Sequence, residues 1–304
     1  MKAQIPDNIK AELPLTTWGK VLGMTPIIMT VVATLLAGIA SSEMTRAQYD
    51  RALGAQLQSK AGDQWGYFQA KKLRGALQIN TLELLEATTD VSALDAPDIQ
   101  AALASADNAS IPKTLGYLNK TTLPAVAPAA DFPSNVKAAM DALNANRPDS
   151  EVFALLTHVS DSDLSDAMMA AKAQAMDFDT VIRPVTSDLD HMEKLLATES
   201  TNKTLLRGFT AARLRFASAR FDNEARLNQV VANIYELQVR KANVSAERHH
   251  TRSGRFFYGM LMAQMGVIIS TFAIASRQKN FLWSLAAAAG LLAVSMSAYV
   301  FLRV

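Results

Sequence analysis

Residues 161–166, Asp-Ser-Asp-Leu-Ser-Asp, have side-chain oxygens at the first, third and fifth positions, as the start of a calcium-binding loop does. Such a loop also needs a glycine at its sixth position and a glutamate at its twelfth, where this chain has Asp166 and Lys172. The same segment suits the start of a helix, because Asp161 and Ser162 are favourable N-caps. The sequence therefore favours helix capping over a metal site.

Histidine occurs at four positions, which are too dispersed to form a three-ligand metal site. His191 and Glu193 are two residues apart on an expected helix, so their side chains point in different directions. A denser cluster lies in residues 247–255, and it predicts a surface that contacts anionic lipid headgroups, with a pH sensor or metal site as the alternative. The predicted membrane-surface residues are Arg248, His249, His250, Arg252 and Arg255.

Composition and motifs give no support to other kinds of chemistry. The chain has no cysteine, which excludes disulfides and thiol nucleophiles. It has no phosphate-binding loop, dinucleotide fingerprint or nucleophile elbow. The formal net charge of +2 conceals an acidic segment at residues 90–190, which argues against a nucleic-acid surface. We therefore expect a protein that is not an enzyme, has no cofactor and binds no nucleic acid.

Three blocks of the chain contain no Lys, Arg, Asp, Glu or His, at residues 21–42, 256–276 and 280–302. Each has about the 20 apolar residues that a helix needs to cross the hydrocarbon layer of a bilayer. They predict three transmembrane helices, preceded by a polar leader at residues 1–20 and separated by a helical soluble domain at residues 43–255. The expected fold class is an all-α membrane protein.

Two segments of the soluble domain show apolar residues at alternating steps of three and four, at residues 43–86 and 201–250. This pattern predicts a long antiparallel coiled-coil-like helical stalk. In the first segment the predicted contact residues are Leu53, Leu57, Ala61, Trp65, Phe68, Lys72, Ala76, Ile79 and Leu82.

The chain between the two stalk segments has a different character. Residues 90–150 are rich in proline and predict a small helical tip, in which short helices are joined by loops. Further helices are expected at residues 151–198, with a break at Pro184 and a new helix from Ser187.

Positive residues near the span ends predict the orientation of the protein. Nine lie on the side of the soluble domain and five on the opposite side, which predicts a cytoplasmic soluble domain. The two sets are Arg46, Arg51, Lys60, Arg240, Lys241, Arg248, Arg252, Arg255 and Arg303, and Lys2, Lys10, Lys20, Arg277 and Lys279.

Small residues recur along one face of the third span and permit close helix contact. They are Ala286, Gly290, Ala293 and Ser297. Gln264 is the strongly polar side chain expected deep in a span, and one amide of this kind joins helices without forming an ion pathway. These residues are the predicted transmembrane helix contacts.

Two motifs resemble a known family. The first is Asp-Gln-Trp-Gly-Tyr-Phe-Gln-Ala-Lys-Lys at residues 63–72, after the first span. The second is Glu-Arg-His-His at residues 247–250, followed by two closing spans with Arg277 and Phe-Leu-Trp at residues 281–283 between them. Together they resemble the bacterial membrane family known as domain of unknown function 4337. The resemblance implies a multi-pass protein of the bacterial inner membrane with a helical soluble insert, and it implies no activity.

The first motif has two interpretations. Its aromatic residues would pack against the returning stalk helix, with the glutamines placed for hydrogen bonds, or they would form a surface for a partner. The residues concerned are Gln64, Trp65, Tyr67, Phe68 and Gln69.

Long paired helices without catalytic motifs predict a membrane scaffold or assembly protein. The expected partners are the lipid bilayer and either further copies of the chain or other subunits of a membrane complex. One alternative is an oligomeric channel or mechanosensitive pore, for which Gln264, Ser270 and Thr271 are the polar candidates. A second alternative is a membrane-anchored sensor whose domain faces outward.

Overall fold

A computed structural model describes residues 17–94, 96–103, 110–125, 131–276 and 279–303, and in these ranges the chain is helical without a β-strand. The helices are α1 (Thr17–Thr88), α2 (Ala96–Ala102), α3 (Ile111–Lys120), α4 (Ser134–Asn144), α5 (Asp149–Leu156), α6 (Asp161–Glu199), α7 (Lys203–Ala275) and α8 (Lys279–Arg303). Most of the predicted polar leader and Arg277 lie outside the described residues.

Three of these helices, α1, α7 and α8, are long and apolar enough to cross a membrane. The prediction of an all-helical protein with three such segments is therefore confirmed. In α1 and α7 the apolar segment and the polar segment form one uninterrupted helix. Ser42 therefore lies inside α1 and does not cap the start of a separate helix.

The chain divides into two compact units, and α1 and α7 contribute to both. Unit 1 comprises residues 1–54 and 242–304, and unit 2 comprises residues 55–241. Unit 1 has two apolar clusters formed by its three helices. Their buried members are Leu36, Ala40, Phe256 and Val300 in one, and Ala33, Ala263 and Ala293 in the other.

Unit 2 contains two apolar cores. The first joins α1, α4, α5, α6 and α7, with Ala61, Val136 and Ile234 fully buried. The second lies around α2, α3 and the later turns of α6, and in it α7 contributes Phe209 and Phe216. The short helices of the proline-rich region thus have defined packing partners in α6 and α7.

Helix α6 runs without a break from Asp161 to Glu199, so the predicted break at Pro184 is wrong. A proline inside a helix costs about 3 kcal/mol through its lost hydrogen bond and its steric clash. The adjacent side chains offset this cost, because Ile182 and Val185 are 3% and 7% exposed in the second core. Burial of this kind contributes about 2 kcal/mol per side chain.

The start of α6 has the capping geometry that the sequence favoured over a calcium loop. The N-cap is Ser160, one residue before the predicted cap at Asp161. The Asp163 backbone amide donates to Ser160 Oγ at 3.0 Å, and the Ser160 amide donates to Asp163 Oδ2 at 3.0 Å. These two bonds form a capping box.

The buried face of α1 in unit 2 follows a seven-residue repeat of Ala61, Phe68, Gly75 and Leu82, of which Phe68 is half-buried and the other three are buried. Lys72, Ala76 and Ile79 were predicted on this face and are instead exposed. The difference arises at Gly75, where an added Cβ would lie 3.6 Å from Phe221 Cβ. A close approach at glycine leaves no apolar side chain for a pattern of hydrophobic residues to detect.

Candidate functional site

The aromatic motif on α1 is divided between a packed side and an exposed side. Trp65 Nε1 donates to Glu236 Oε1 on α7 at 2.7 Å, and the Trp65 ring meets the Phe68 ring edge to face at 5.4 Å between centroids. Tyr67 is 58% exposed and Gln69 is exposed, whereas Gln64 is half-buried. Glu236, which the sequence analysis did not single out, is the polar partner of Trp65.

Opposite the buried face, α1 carries exposed small and apolar residues that we term the outer stripe. They are Gly62, Gly66, Ala70, Leu73, Leu77 and Leu84. Leu73, Leu77 and Leu84 are 72%, 58% and 63% exposed. At Gly62 and Gly66 an added Cβ would find no atom within 4 Å. A helix that presents apolar residues on both faces has more apolar surface than its own unit covers.

Ion pairs join α1 to α7 beside this packing. Lys72 donates to Asp222 and Arg215 donates to Glu86. The Lys72 hydrogen bond is the largest cause that holds the pKa of Asp222 below its usual value of 3.8, and burial opposes it. The partners are substantially exposed, so each pair adds specificity more than stability.

The capping carboxylate of Asp163 also has a lowered pKa. The largest cause is a hydrogen bond from Asn135 Nδ2, at 2.8 Å from Asp163 Oδ2, followed by the bonds with Ser160. Asn135 Nδ2 also donates to the His158 carbonyl at 3.0 Å. Asn135 thus ties α4 to the start of α6.

A polar cluster in unit 1 centres on Glu43, which is 6% exposed. His249 Nδ1 lies 2.5 Å from Glu43 Oε2, and Arg252 Nη1 lies 3.7 Å from Glu43 Oε1. One turn away, Ser253 Oγ donates to the Ala40 carbonyl at 2.7 Å. This cluster joins α1 to α7 where both helices change from polar to apolar sequence.

The predicted membrane-surface residues therefore have different environments. His249 and Arg252 face Glu43 inside the unit, while Arg248 and His250 are exposed. The Arg255 guanidinium lies over the Tyr299 ring of α8, 5.9 Å from its centroid. The sequence analysis did not name Glu43 as the partner of His249. The available signal was a carboxylate directly after one charge-free block and a pair of histidines shortly before the next.

The small residues of α8 pack against the other two helices of unit 1. Ala286 and Ala293 are fully buried. A Cβ at Gly290 would lie 1.9 Å from Met29 Cε on α1. Ser297 Oγ would lie 3.1 Å from a Cβ at Gly259 on α7. The predicted contact face of α8 is thus occupied by helices of the same chain.

Gln264 lies elsewhere in unit 1, in an open groove of about 440 Å³ between α1 and α7. The groove is lined by Thr30, Ala33, Thr34, Ala37, Gln264, Val267 and Ile268. Thr30 and Thr34 are exposed, and each hydroxyl donates to the carbonyl four residues earlier, at 2.8 and 2.9 Å. The side chain of Gln264 is exposed and has no hydrogen-bond partner among the described residues.

Unit 2 has a smaller cavity of about 230 Å³ beside Arg213, Arg220 and Asp190. The two arginines already pair with Glu193 and Glu224. Among the residues that the structure describes, no three His, Asp or Glu side chains are grouped as a metal site would require.

Comparison with known proteins shows a similarity to a protein family over part of the chain. No curated protein and no solved structure matches the chain. The matching family model covers residues 18–113, which include the aromatic motif at residues 63–72 and the first part of the proline-rich segment. The second motif and the closing spans lie beyond the matched residues. The predicted resemblance is confirmed, because residues 18–113 match the family described as Domain of unknown function (DUF4337).

Proposed function

We propose that this protein is a non-enzymatic integral membrane scaffold, whose helical soluble unit mediates oligomerisation or the binding of other membrane subunits. The outer stripe of α1 carries this proposal. Its leucines are exposed although α1 already has a complete buried face on the opposite side. Apolar residues in a seven-residue spacing on a second face are typical of a helix that packs against a further helix.

The contacts between α1 and α7 support a rigid antiparallel stalk as the framework of this scaffold. Within unit 2, Trp65 pairs with Glu236, Gly75 faces Phe221 and Glu86 pairs with Arg215. The partner numbers on α7 fall as the numbers on α1 rise, which is the order of an antiparallel pair. The aromatic motif then stabilises the stalk, and the outer stripe is left for assembly.

The location follows from the same elements. The three apolar helices support a location in a membrane, and the charge distribution favours a cytoplasmic soluble unit. The resemblance to a bacterial membrane family makes the bacterial inner membrane the proposed site.

A mass measurement on the full chain tests the function. The protein is purified from its native membrane in mild detergent, and the mass of the intact assembly and the identity of its companions are determined. We expect more than one polypeptide per particle. A monomer without companions would contradict the proposal.

A paired substitution assigns the assembly to the outer stripe. Leu77→Lys places a charge in the stripe without changing helix propensity much, because leucine and lysine rank closely. Gln56→Lys is the matched control, since Gln56 is exposed on α1 outside the stripe. We expect Leu77→Lys to reduce the assembly mass and Gln56→Lys to leave it unchanged. Equal masses for both variants would remove the stripe as the interface.

The pore alternative lacks a comparable observation. Ser270 is fully buried and its hydroxyl donates to the Val267 carbonyl at 2.9 Å. Thr271 donates to the same carbonyl at 2.8 Å. Ion flux through liposomes that contain the purified protein would favour the pore over the scaffold.

A further inference from the structure

Gln264 presents a primary amide near the middle of an apolar helix segment. It follows Arg255 by nine residues, which corresponds to about 13 Å along the helix axis. The hydrocarbon layer of a bilayer is about 30 Å thick. Gln264 therefore lies close to its centre, together with Thr30 and Thr34 near the midpoint of the first charge-free block.

An exposed amide at this depth has no solvent to satisfy it. Acyl chains neither donate nor accept hydrogen bonds, and an unpaired amide in such a medium costs several kcal/mol. None of the described residues bonds to the Gln264 side chain. The groove thus requires an occupant with polar groups at mid-membrane depth.

The shape of the groove admits a helix at close range. On the α1 side its wall consists of Thr30, Ala33, Thr34 and Ala37, all of which are small. Gly38, one turn beyond Thr34, is exposed and an added Cβ there would find no atom within 4 Å. Small residues let helix backbones approach closely in membranes.

The polar groups of the groove complement one another between two copies. The Thr30 and Thr34 hydroxyls use their protons within α1, which leaves their oxygen atoms free to accept. The Gln264 amide supplies two N–H donors. A two-fold axis brings the same patch of each copy face to face, so that the donor of one meets the acceptors of the other.

We propose that a second copy of this chain docks in the groove about a two-fold axis, with the Gln264 amide of each copy donating to the Thr30 or Thr34 hydroxyl of the other. This inference deepens the proposed function and rests on it, because it names the partner of the assembly and the membrane contact that joins the copies. The interface is distinct from the outer stripe of the soluble unit, so the two contacts are separable by substitution.

The first test measures self-association of the full chain in liposomes. Gln264→Leu removes the amide and raises the apolar character of the span, so membrane insertion is preserved. Interhelical hydrogen bonds in membranes contribute about 1–2 kcal/mol each in model peptides, and Gln264→Leu removes one bond from each copy of the pair. The loss of both bonds corresponds to a change in dissociation constant of about 30-fold to 900-fold. Counting of fluorophores per particle at several protein-to-lipid ratios gives this constant.

Phe272→Leu is the matched control for that measurement. Phe272 lies on the same helix, is 67% exposed and does not line the groove. We expect Phe272→Leu to associate like the wild type and Gln264→Leu to associate about 30-fold to 900-fold more weakly. Equal association constants for Gln264→Leu and the wild type would overturn the proposal.

A second test uses the absence of native cysteine. Thr34→Cys places a thiol in the groove, and Leu291→Cys places one on a lipid-facing position of α8 that is 72% exposed. Mild oxidation of liposomes should convert Thr34→Cys to a covalent dimer faster than Leu291→Cys. Addition of Gln264→Leu to Thr34→Cys should slow the reaction. Equal rates for the two cysteine positions would place the contact elsewhere.

The outcomes separate this inference from the proposed function. If Leu77→Lys weakens assembly while Gln264→Leu does not, the scaffold stands and the groove contact is wrong. If the wild type is monomeric in liposomes but forms a complex with another protein in native membranes, the occupant is not a second copy and the groove contact is also wrong. A monomer under both conditions would refute both proposals.

Discussion

Replacement of Trp65 by alanine tests how the aromatic motif works. The indole of Trp65 is half-buried, bonds to Glu236 at 2.7 Å and meets Phe68 edge to face. Tyr67, two residues later, is 58% exposed and is in neither contact. The motif therefore contains its own comparison between a packed and an exposed aromatic side chain on one helix.

The expected loss follows from the contacts of Trp65. Truncation of a fully buried tryptophan to alanine costs about 3–5 kcal/mol, so a half-buried ring accounts for about 2 kcal/mol. The hydrogen bond to Glu236 adds about 1 kcal/mol. Since 1 kcal/mol shifts the melting temperature of a domain of about 150–250 residues by about 2–4 °C, Trp65→Ala should melt about 6–12 °C below the wild type. Trp65→Phe, which keeps most of the ring and loses the bond, should melt about 2–4 °C below.

Circular dichroism of the full chain in detergent, recorded at one scan rate for all variants, measures these shifts. Tyr67→Ala should stay within about 2 °C of the wild type, because surface substitutions change stability by about 0.5 kcal/mol or less. Equal melting temperatures for Trp65→Ala and the wild type would refute the packing argument. If that variant also lost a bound subunit, the motif would be a partner surface instead.

Three further predictions concern two charged pairs and the orientation of the soluble unit. Glu43→Ala removes a buried carboxylate from its basic partners and should lower the free energy of unfolding by about 2 kcal/mol. The control is Glu247→Ala, which removes an exposed ion pair and should change that free energy by less than about 0.5 kcal/mol in the same thermal assay. Because Lys72 lowers the pKa of folded Asp222 below 3.8, the stability from that pair is present above 3.8 and is lost as the pH falls further. Between about pH 5 and about pH 3, the melting temperature of Asp222→Asn should therefore fall by less than that of the wild type. An equal fall for both proteins would contradict a contribution of this ion pair to the pH dependence of stability. A cysteine at position 149, replacing Asp149, should resist an impermeant thiol reagent added to intact cells, and its labelling would place the soluble unit outside.

The sequence predicted the apolar helices correctly because membrane crossing depends on a long absence of charge. Residues 256–276 and 280–302 carry that signal without reference to any contact. Helix boundaries depend on balances that a single sequence does not display. Pro184 was expected to end a helix, and α6 continues because Ile182 and Val185 are buried on either side of it.

Contacts that involve glycine or a lone carboxylate were the hardest to predict. At Gly75 the close approach to Phe221 shifts the buried face of α1, and a search for apolar residues passes over it. Glu43 is buried only because α7 brings His249 and Arg252 to it, and the sequence separates Glu43 from His249 by 206 residues. Long-range pairings of this kind require the fold before the partner can be named.

The polar residues of the apolar segments are not equivalent in what they require from a neighbour. The hydroxyls of Thr271 and Ser297 donate to carbonyls of their own helices, at 2.8 and 2.6 Å, so these residues enter a membrane without any partner helix. Gln264 makes no such bond, and the two N–H groups of its amide have no acceptor bonded to them among the described residues. Loss of the Thr271 or the Ser297 hydroxyl should therefore leave association intact. In the proposed pair, loss of the Gln264 amide changes the energy of the separated copies as well as that of the pair. The amide acts mainly by making the isolated chain unfavourable in hydrocarbon, and this is the physical reason to expect the groove to be occupied in the membrane.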